Sequence, residues 1–278
     1  MREKTGRFEG SYIRILTRAL PALLLMITSL AGCEETPTGR NQLSLIPDKK
    51  LASMGAEAFT DLKRTLPRVT DPRINGYVSC VVKSIISTLP ASEQNWEVAI
   101  FDDPSPNAFA LPGKKIGINS GMLTVATTQG QLAAVISHEV GHILADHANE
   151  RMTQQLAIQG GLALFDLLSE QQEGWKHEAI RKALDIGAGV GILLPFSRLH
   201  EKEADAIGLD LMARAGFDPD QSLTLWQNMS RISKGQPVEF LSTHPSHETR
   251  HEELQKQMAS SRQLYEQAKS LGKQPRCK

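Results

Sequence analysis

His138-Glu139-Val140-Gly141-His142 sets two imidazoles four residues apart, with a carboxylate beside the first. Leu132, Val135, Ile136 and Ile143 recur around it at helical spacing, and Thr128 with Gln131 makes a capping box. The pattern predicts one helix running from there through the motif to about Met152. Residues four apart on a helix share a face, so His138 and His142 can offer their rings to one ion. Zinc accepts neutral imidazole nitrogens at roughly 2.0–2.1 Å and takes a third protein ligand in catalytic sites. Glu139, one residue on, stands beside the open position, where a carboxylate can take a proton from attacking water. Two histidines on a solvated helix would have the same spacing; the amphipathic setting favours the metal.

The third ligand lies elsewhere in the chain. His147 is nearest, but the metzincin spacing requires a glycine and a histidine where Ala145 and Ala148 stand. His147 therefore reads as a helix-end residue. A second predicted helix, residues 197–215, carries Glu201, Glu203 and Asp205 and is stopped by Gly216 and Asp218-Pro219. Glu201 and Asp205 share a face, whereas Glu203 points roughly 200° away from Glu201 at about 100° per residue. We assign Glu201 to zinc and Asp205 to a supporting place behind the ligands, either bonding a ligand histidine or steadying the active site; taken without the histidine motif, the segment reads as an acidic surface helix. Ala204 and Gly208 are small and allow the two helices to approach closely.

Further out, residues 51–66 and 74–89 have helical spacing, the second after Asp71-Pro72. Residues 96–101 alternate as a strand, and 107–111 and 115–119 read as two short strands about Pro112-Gly113. Residues 154–194 are mainly helical in pattern, with a polar break at 171–174 and glycines at 187, 189 and 191. The apolar stretch 183–196 is short and contains Asp185, which argues against a membrane span. The expected fold is mostly α with a small β-sheet (α+β): a zincin-like arrangement of an HExxH helix and a second, glutamate-bearing helix. No linker divides residues 42–278, which read as one domain.

The first 32 residues read as an address. Arg2, Lys4, Arg7, Arg14 and Arg18 form a basic region, an apolar run spans 19–30, and Leu30-Ala31-Gly32-Cys33 ends it. Small residues before a cysteine resemble the bacterial lipobox, in which the thiol of Cys33 is lipidated; an ordinary secretory signal is the other reading. Glu34 is not the aspartate associated with inner-membrane retention, so the expected location is the periplasmic side of the envelope, anchored by lipid to the outer membrane. Several acyl chains on one residue suffice for stable anchoring. Residues 33–41 then form a polar tether. Cys80 and Cys277 remain, as a disulfide in an oxidising compartment or as a buried and a stray thiol. With 31 basic and 31 acidic side chains, the chain has no electrostatic footprint for nucleic acid. The oligomeric state is not legible.

Taken with Ser197-Arg198-Leu199-His200-Glu201-Lys202-Glu203-Ala204-Asp205, the histidine motif resembles the HtpX and CAAX prenyl protease type of gluzincin metallopeptidases, peptidase family M48. Asn107-Ala108-Phe109-Ala110-Leu111-Pro112-Gly113 and Ser242-Thr243-His244-Pro245-Ser246 with Arg250 fit the same family. The resemblance runs from about Gly39 to Arg250. It implies one zinc per chain on His138, His142 and Glu201, Glu139 as general base, and a functional role for Asp205, sometimes described as a proton donor. It places His244 close to the metal, as an oxyanion or substrate contact or an inhibitory fourth ligand, and Arg250 in the cleft. His247 and His251 are further candidates for zinc. The branch it suggests is periplasmic and lipid-anchored, with unfolded or misassembled envelope proteins as substrates. A zinc-stabilised chaperone or assembly factor for outer-membrane proteins is the rival, and an intact Glu139 argues against it, because pure binding needs no base.

Overall fold

The computed structural model describes residues 33–168, 197–232, 239–244 and 250–278. The proposed signal segment, the glycine-rich stretch near 187–191, the polar break at 171–174 and His247 lie outside them. Five strands and nine helices follow in the order β1 (Cys33–Glu35), β2 (Asn41–Leu43), α1 (Asp48–Thr65), α2 (Pro72–Ile86), β3 (Glu97–Phe101), β4 (Ala108–Leu111), β5 (Lys115–Asn119), α3 (Met122–Val125), α4 (Gln129–Leu144), α5 (His147–Leu168), α6 (Arg198–Arg214), α7 (Asp220–Ile232), α8 (Glu239–Thr243) and α9 (Arg250–Ser270), counted among the described residues. Among them, no helix is long and apolar enough to cross a membrane.

The sheet order is β3-β5-β4, with β3 parallel to β5 and β4 antiparallel to it. Ile116 and Ile118 of β5 turn into a core shared with Val81 and Ile85 of α2 and with Leu132 and Ile136 of α4. Burial on nearly every side makes α4 a central element rather than an amphipathic surface helix. The Thr128 hydroxyl accepts from the Gln131 amide at its N-terminus, 3.2 Å, while the Gln131 side chain reaches one residue further back than the usual capping box, to the Thr127 amide at 2.8 Å.

Close approach of α4 and α6 depends on two glycines. A Cβ on Gly208 would come within 3.0 Å of the His138 nitrogen, and one on Gly141 within 2.8 Å of the Ala204 carbonyl oxygen. With Ala204 between them, the backbones pack almost directly, and this brings Glu201 within reach of both motif histidines.

Two expectations change. The motif helix does not continue to Met152: α4 stops at Leu144, Asp146 takes φ 51°, and α5 starts at His147. Aspartate is among the few side chains that tolerate the left-handed region, and the break folds His147 back toward α4. The segment 33–41 is not a free tether either. β1 and β2 form an antiparallel hairpin with Cys33 opposite Leu43, and polar Thr36 and Gln42 are buried. Its polar composition reflects polar partners in the body of the domain, chiefly Glu150 and Glu203.

Cys80 of α2 and Cys277 form a disulfide, with Cα atoms 5.6 Å apart. The tail is also hydrogen bonded to the head of α4: Gln129 Nε2 donates to the Pro275 carbonyl and Gln129 Oε1 accepts from the Cys277 amide, both at 2.9 Å.

Candidate metal centre

Two turns of α4 and the first turns of α6 bring His138, His142 and Glu201 together, and His244, at the end of α8, joins them. One ligand atom from each lies within 4.8 Å of all the others, and all four residues are buried. His138 Nε2 is 3.1 Å from His142 Nε2 and 3.4 Å from Glu201 Oε2. His142 Nε2 is 3.4 Å from Glu201 Oε1. His244 Nδ1 lies 3.3 Å from His138 Nε2 and 3.0 Å from Glu201 Oε1.

Zinc fits this donor set. Bonds of roughly 2.0–2.1 Å to four tetrahedral ligands put the ligand atoms about 3.3–3.4 Å from one another, close to the spacings seen here. Convergence of three imidazole nitrogens and a carboxylate on one buried point is unfavourable unless a cation sits among them. Glu139, Glu201 and Asp205 are buried acidic side chains, and Arg250 is the buried cation that touches two of them.

Each functional side chain has a distinct support. Asp205 Oδ1 lies 2.9 Å from His138 Nδ1, which turns the Nε2 of that ring toward the cluster. Arg250 donates to Glu201 Oε2 at 2.9 Å and to Asp205 Oδ1 at 2.7 Å, and its guanidinium carbon lies 3.6 Å from the centre of the Trp226 ring. Glu139 accepts from the Ala110 amide of β4 at 3.0 Å through one oxygen. Its other oxygen is buried without a hydrogen-bond partner, 3.4 Å from His244 Nε2.

Electrostatics separate these carboxyls. Burial pushes the Glu139 carboxyl above the ordinary range, only partly opposed by His244 and His138. Burial acts on Glu201 in the same direction, but His244 and hydrogen bonds from His138 and His142 hold it well below that range. Asp205 is likewise lowered: burial opposes its charge, and Arg250 and His138 outweigh it. Burial lowers His138, yet Asp205 and Glu201 carry it up to about 9, whereas burial dominates at His142 and keeps that ring well below its usual value. Burial thus favours the neutral form at Glu139, while neighbouring cations and donors favour the charged form at Glu201 and Asp205.

Of the residues singled out from sequence, His138, His142, Glu139, Glu201, Asp205, His244 and Arg250 meet in this one site. Cys33 lies in β1, and Cys80 and Cys277 lie in the bridge. His251 is not in the cluster. Sequence reasoning missed His147 and Glu203: His147 is fully buried, with Nδ1 2.8 Å from His142 Nδ1 and Nε2 3.1 Å from Glu203 Oε2. An aspartate that could break the helix at 146 was the available signal.

The sequence matches the profile of peptidase family M48 over residues 72–258. It is 36% identical over 217 residues to mitochondrial metalloendopeptidase OMA1 of Schizosaccharomyces pombe, covering 76% of this chain and 60% of the relative. To the human metalloendopeptidase OMA1, mitochondrial, it is 31% identical over 254 residues, 84% of this chain and 47% of the relative. The beta-barrel assembly-enhancing protease of Escherichia coli is 28% identical over 206 residues, 71% and 41% of the respective chains. The chain thus spans about half the length of the curated relatives it matches. Because the matched region runs from the start of α2 into α9, it takes in both helices of the metal cluster and the arginine behind them, and the chain belongs to peptidase family M48, the zinc-dependent metallopeptidases.

Proposed function

We propose that this protein is a zinc-dependent endopeptidase of the bacterial cell envelope, lipid-anchored through Cys33, which degrades misfolded envelope or outer-membrane proteins. The observation that carries the catalytic part is Glu139: a buried acidic side chain with one oxygen held by β4 and the other free of hydrogen bonds and facing His244 Nε2, next to four converging ligand atoms. His138, His142 and Glu201 would hold the zinc, which would serve as a Lewis acid for the scissile carbonyl. Glu139 takes the proton of the attacking water and hands it to the leaving amine nitrogen. Asp205 and Arg250 hold His138 and Glu201 in place. His244 Nδ1 lies among the ligand atoms, 3.0 Å from Glu201 Oε1, so it would compete with a substrate oxygen for a bound metal.

β4 is an edge strand of its sheet, and its Ala110 amide points into the site. An extended polypeptide laid along that edge would bind through its main chain, with little demand on sequence. This suits a protease that meets unfolded clients. The envelope location and the anchor are supported by the basic and apolar leader ending in Leu30-Ala31-Gly32-Cys33, and the client class by the name of the E. coli relative. A holding function without cleavage would leave Glu139 with nothing to do.

The test is Glu139→Gln, nearly isosteric and outside the ligand set. Zinc content should stay at one per chain while casein or peptide cleavage falls at least ~10²–10⁴-fold. Parental cleavage by the zinc-loaded variant would overturn the mechanism.

A further inference from the structure

Behind His142 a buried chain of polar side chains runs outward to the N-terminal hairpin. His142 Nδ1 lies 2.8 Å from His147 Nδ1, and His147 Nε2 lies 3.1 Å from Glu203 Oε2. Glu203 also accepts from the Thr36 and Thr38 hydroxyls and, at 2.8 Å, from Arg40 Nε. The terminal nitrogens of Arg40 are held by both oxygens of Glu150 at 2.9 and 2.7 Å.

Hydrogen-bond bookkeeping gives this chain one direction. Nε2 of His142 faces the ligand cluster, so its lone pair must point there and its proton must sit on Nδ1. That proton is donated to His147 Nδ1, which leaves the His147 proton on Nε2, donated to Glu203. The carboxylate at the end is held by a guanidinium and two hydroxyls. His138 is backed in the same logic by Asp205 and Arg250. The two ligand histidines therefore have parallel supports, each ending in a carboxylate gripped by an arginine, with one imidazole interposed on the His142 side. Docking of the hairpin alone would not require a contact to His142, nor the left-handed Asp146 that turns His147 back toward it.

We infer that His147, Glu203 and Arg40 are positioning residues for His142, and that the β1–β2 hairpin is a working part of the metal centre because it seats Arg40, Thr36 and Thr38 on Glu203. The inference rests on the reading of His142 as a zinc ligand. Orienting partners behind a ligand histidine are typically worth ~10–100-fold in metal affinity or activity.

The experiment uses the full chain in detergent and measures two things: zinc affinity, by competition with a chromophoric chelator, and the visible absorption of the cobalt-substituted protein. Glu203→Gln should weaken zinc binding by ~10–100-fold and change the cobalt spectrum, and Arg40→Gln should shift both in the same direction by less. Phe59→Leu, in the separate apolar cluster with Ala99 and Phe101, serves as a destabilised control that should keep parental zinc affinity. Parental affinity and spectrum in folded Glu203→Gln and Arg40→Gln would overturn the inference, and so would an equal loss in Phe59→Leu. If Glu203→Gln does not fold, Arg40→Gln decides by the same criteria. His142→Ala in the same assay isolates the underlying reading: undiminished zinc binding there means His142 is not a ligand, whatever Glu203 does.

Discussion

Replacing Arg250 with methionine keeps much of the side-chain volume and removes the charge that joins two carboxylates. Arg250 is 3% exposed, and its guanidinium gives one hydrogen bond each to Glu201 and Asp205, at 2.9 and 2.7 Å. Hydrogen bonds to charged groups contribute roughly 1.5–3 kcal/mol each, and removing one partner of a buried ion pair costs about 3–5 kcal/mol, because the other charge is stranded. The two estimates overlap, so Arg250→Met should destabilise the metal-free protein by about 3–5 kcal/mol. At roughly 2–4 °C per kcal/mol for a domain of this size, the melting temperature falls by on the order of 6–20 °C. Arg262→Met is the matched comparison: it breaks a 2.7 Å ion pair to Asp220 in which both partners are well exposed, where the usual contribution is about 0–1 kcal/mol. Thermal unfolding followed by circular dichroism on chelator-treated protein decides between them. Equal, small shifts in the two variants would refute the claim that Arg250 holds the carboxylates of the site.

His244→Ala should raise the rate of peptide cleavage and loosen zinc, since it vacates a ligand position; a variant with slower cleavage and parental zinc affinity would instead make His244 a substrate contact. Asp146 has a buried oxygen with no hydrogen-bond partner, and burial pushes its carboxyl up to about 6. A carboxyl raised in the folded state costs stability once it must ionise, so Asp146→Asn, which also tolerates φ 51°, should stabilise the protein at pH 7. That gain should shrink as pH falls through about 6 toward the ordinary aspartate value near ~3.9; urea titrations at pH 7 and 4.5 that show a constant gain would refute it. Reducing Cys80–Cys277, which closes a separation of 197 residues, should cost on the order of 2–5 kcal/mol and free the tail from Gln129, as read by protection of the α4 amides in hydrogen exchange.

What could be read in the chain was the part whose chemistry is local. The i, i+4 spacing of His138 and His142 sets them on one face whatever else the chain does, and the same rule selects Glu201 with Asp205. Ala204 and Gly208 foretold the close approach of the two helices because small side chains admit little else. The break at Asp146 was not foretold, since Ala145 and His147 are both compatible with a continuing helix and the left-handed turn is imposed by tertiary packing. Misreading that turn also hid His147, which a straight helix would have turned away from His142. Glu203 was set aside for pointing about 200° from Glu201; the rotation was sound, but that far side of α6 is covered by the hairpin rather than by water. Polar composition alone could not distinguish a solvated tether from strands whose partners are buried acids.

These two misreadings share one physical cause, and it bears on how the centre is built. A metal site of three carboxylates and several imidazoles is expensive to bury unless each polar atom has a partner. Asp205, on the ligand face of α6, finds Arg250 from α9; Glu203, on the opposite face, finds Arg40 from the hairpin. The two arginines come from segments 210 residues apart in number, on opposite sides of α6, and each reaches a ligand histidine of α4 through an acid of α6, Arg40 with His147 interposed. The helix α6 is thus polar on two faces and packed on both, which explains why it looks like an acidic surface helix in sequence while Glu201, Glu203, Ala204 and Asp205 are all buried. Orientation of the two histidines is then secured from both ends of the chain, and the one ligand-distance group carried on neither helix is His244.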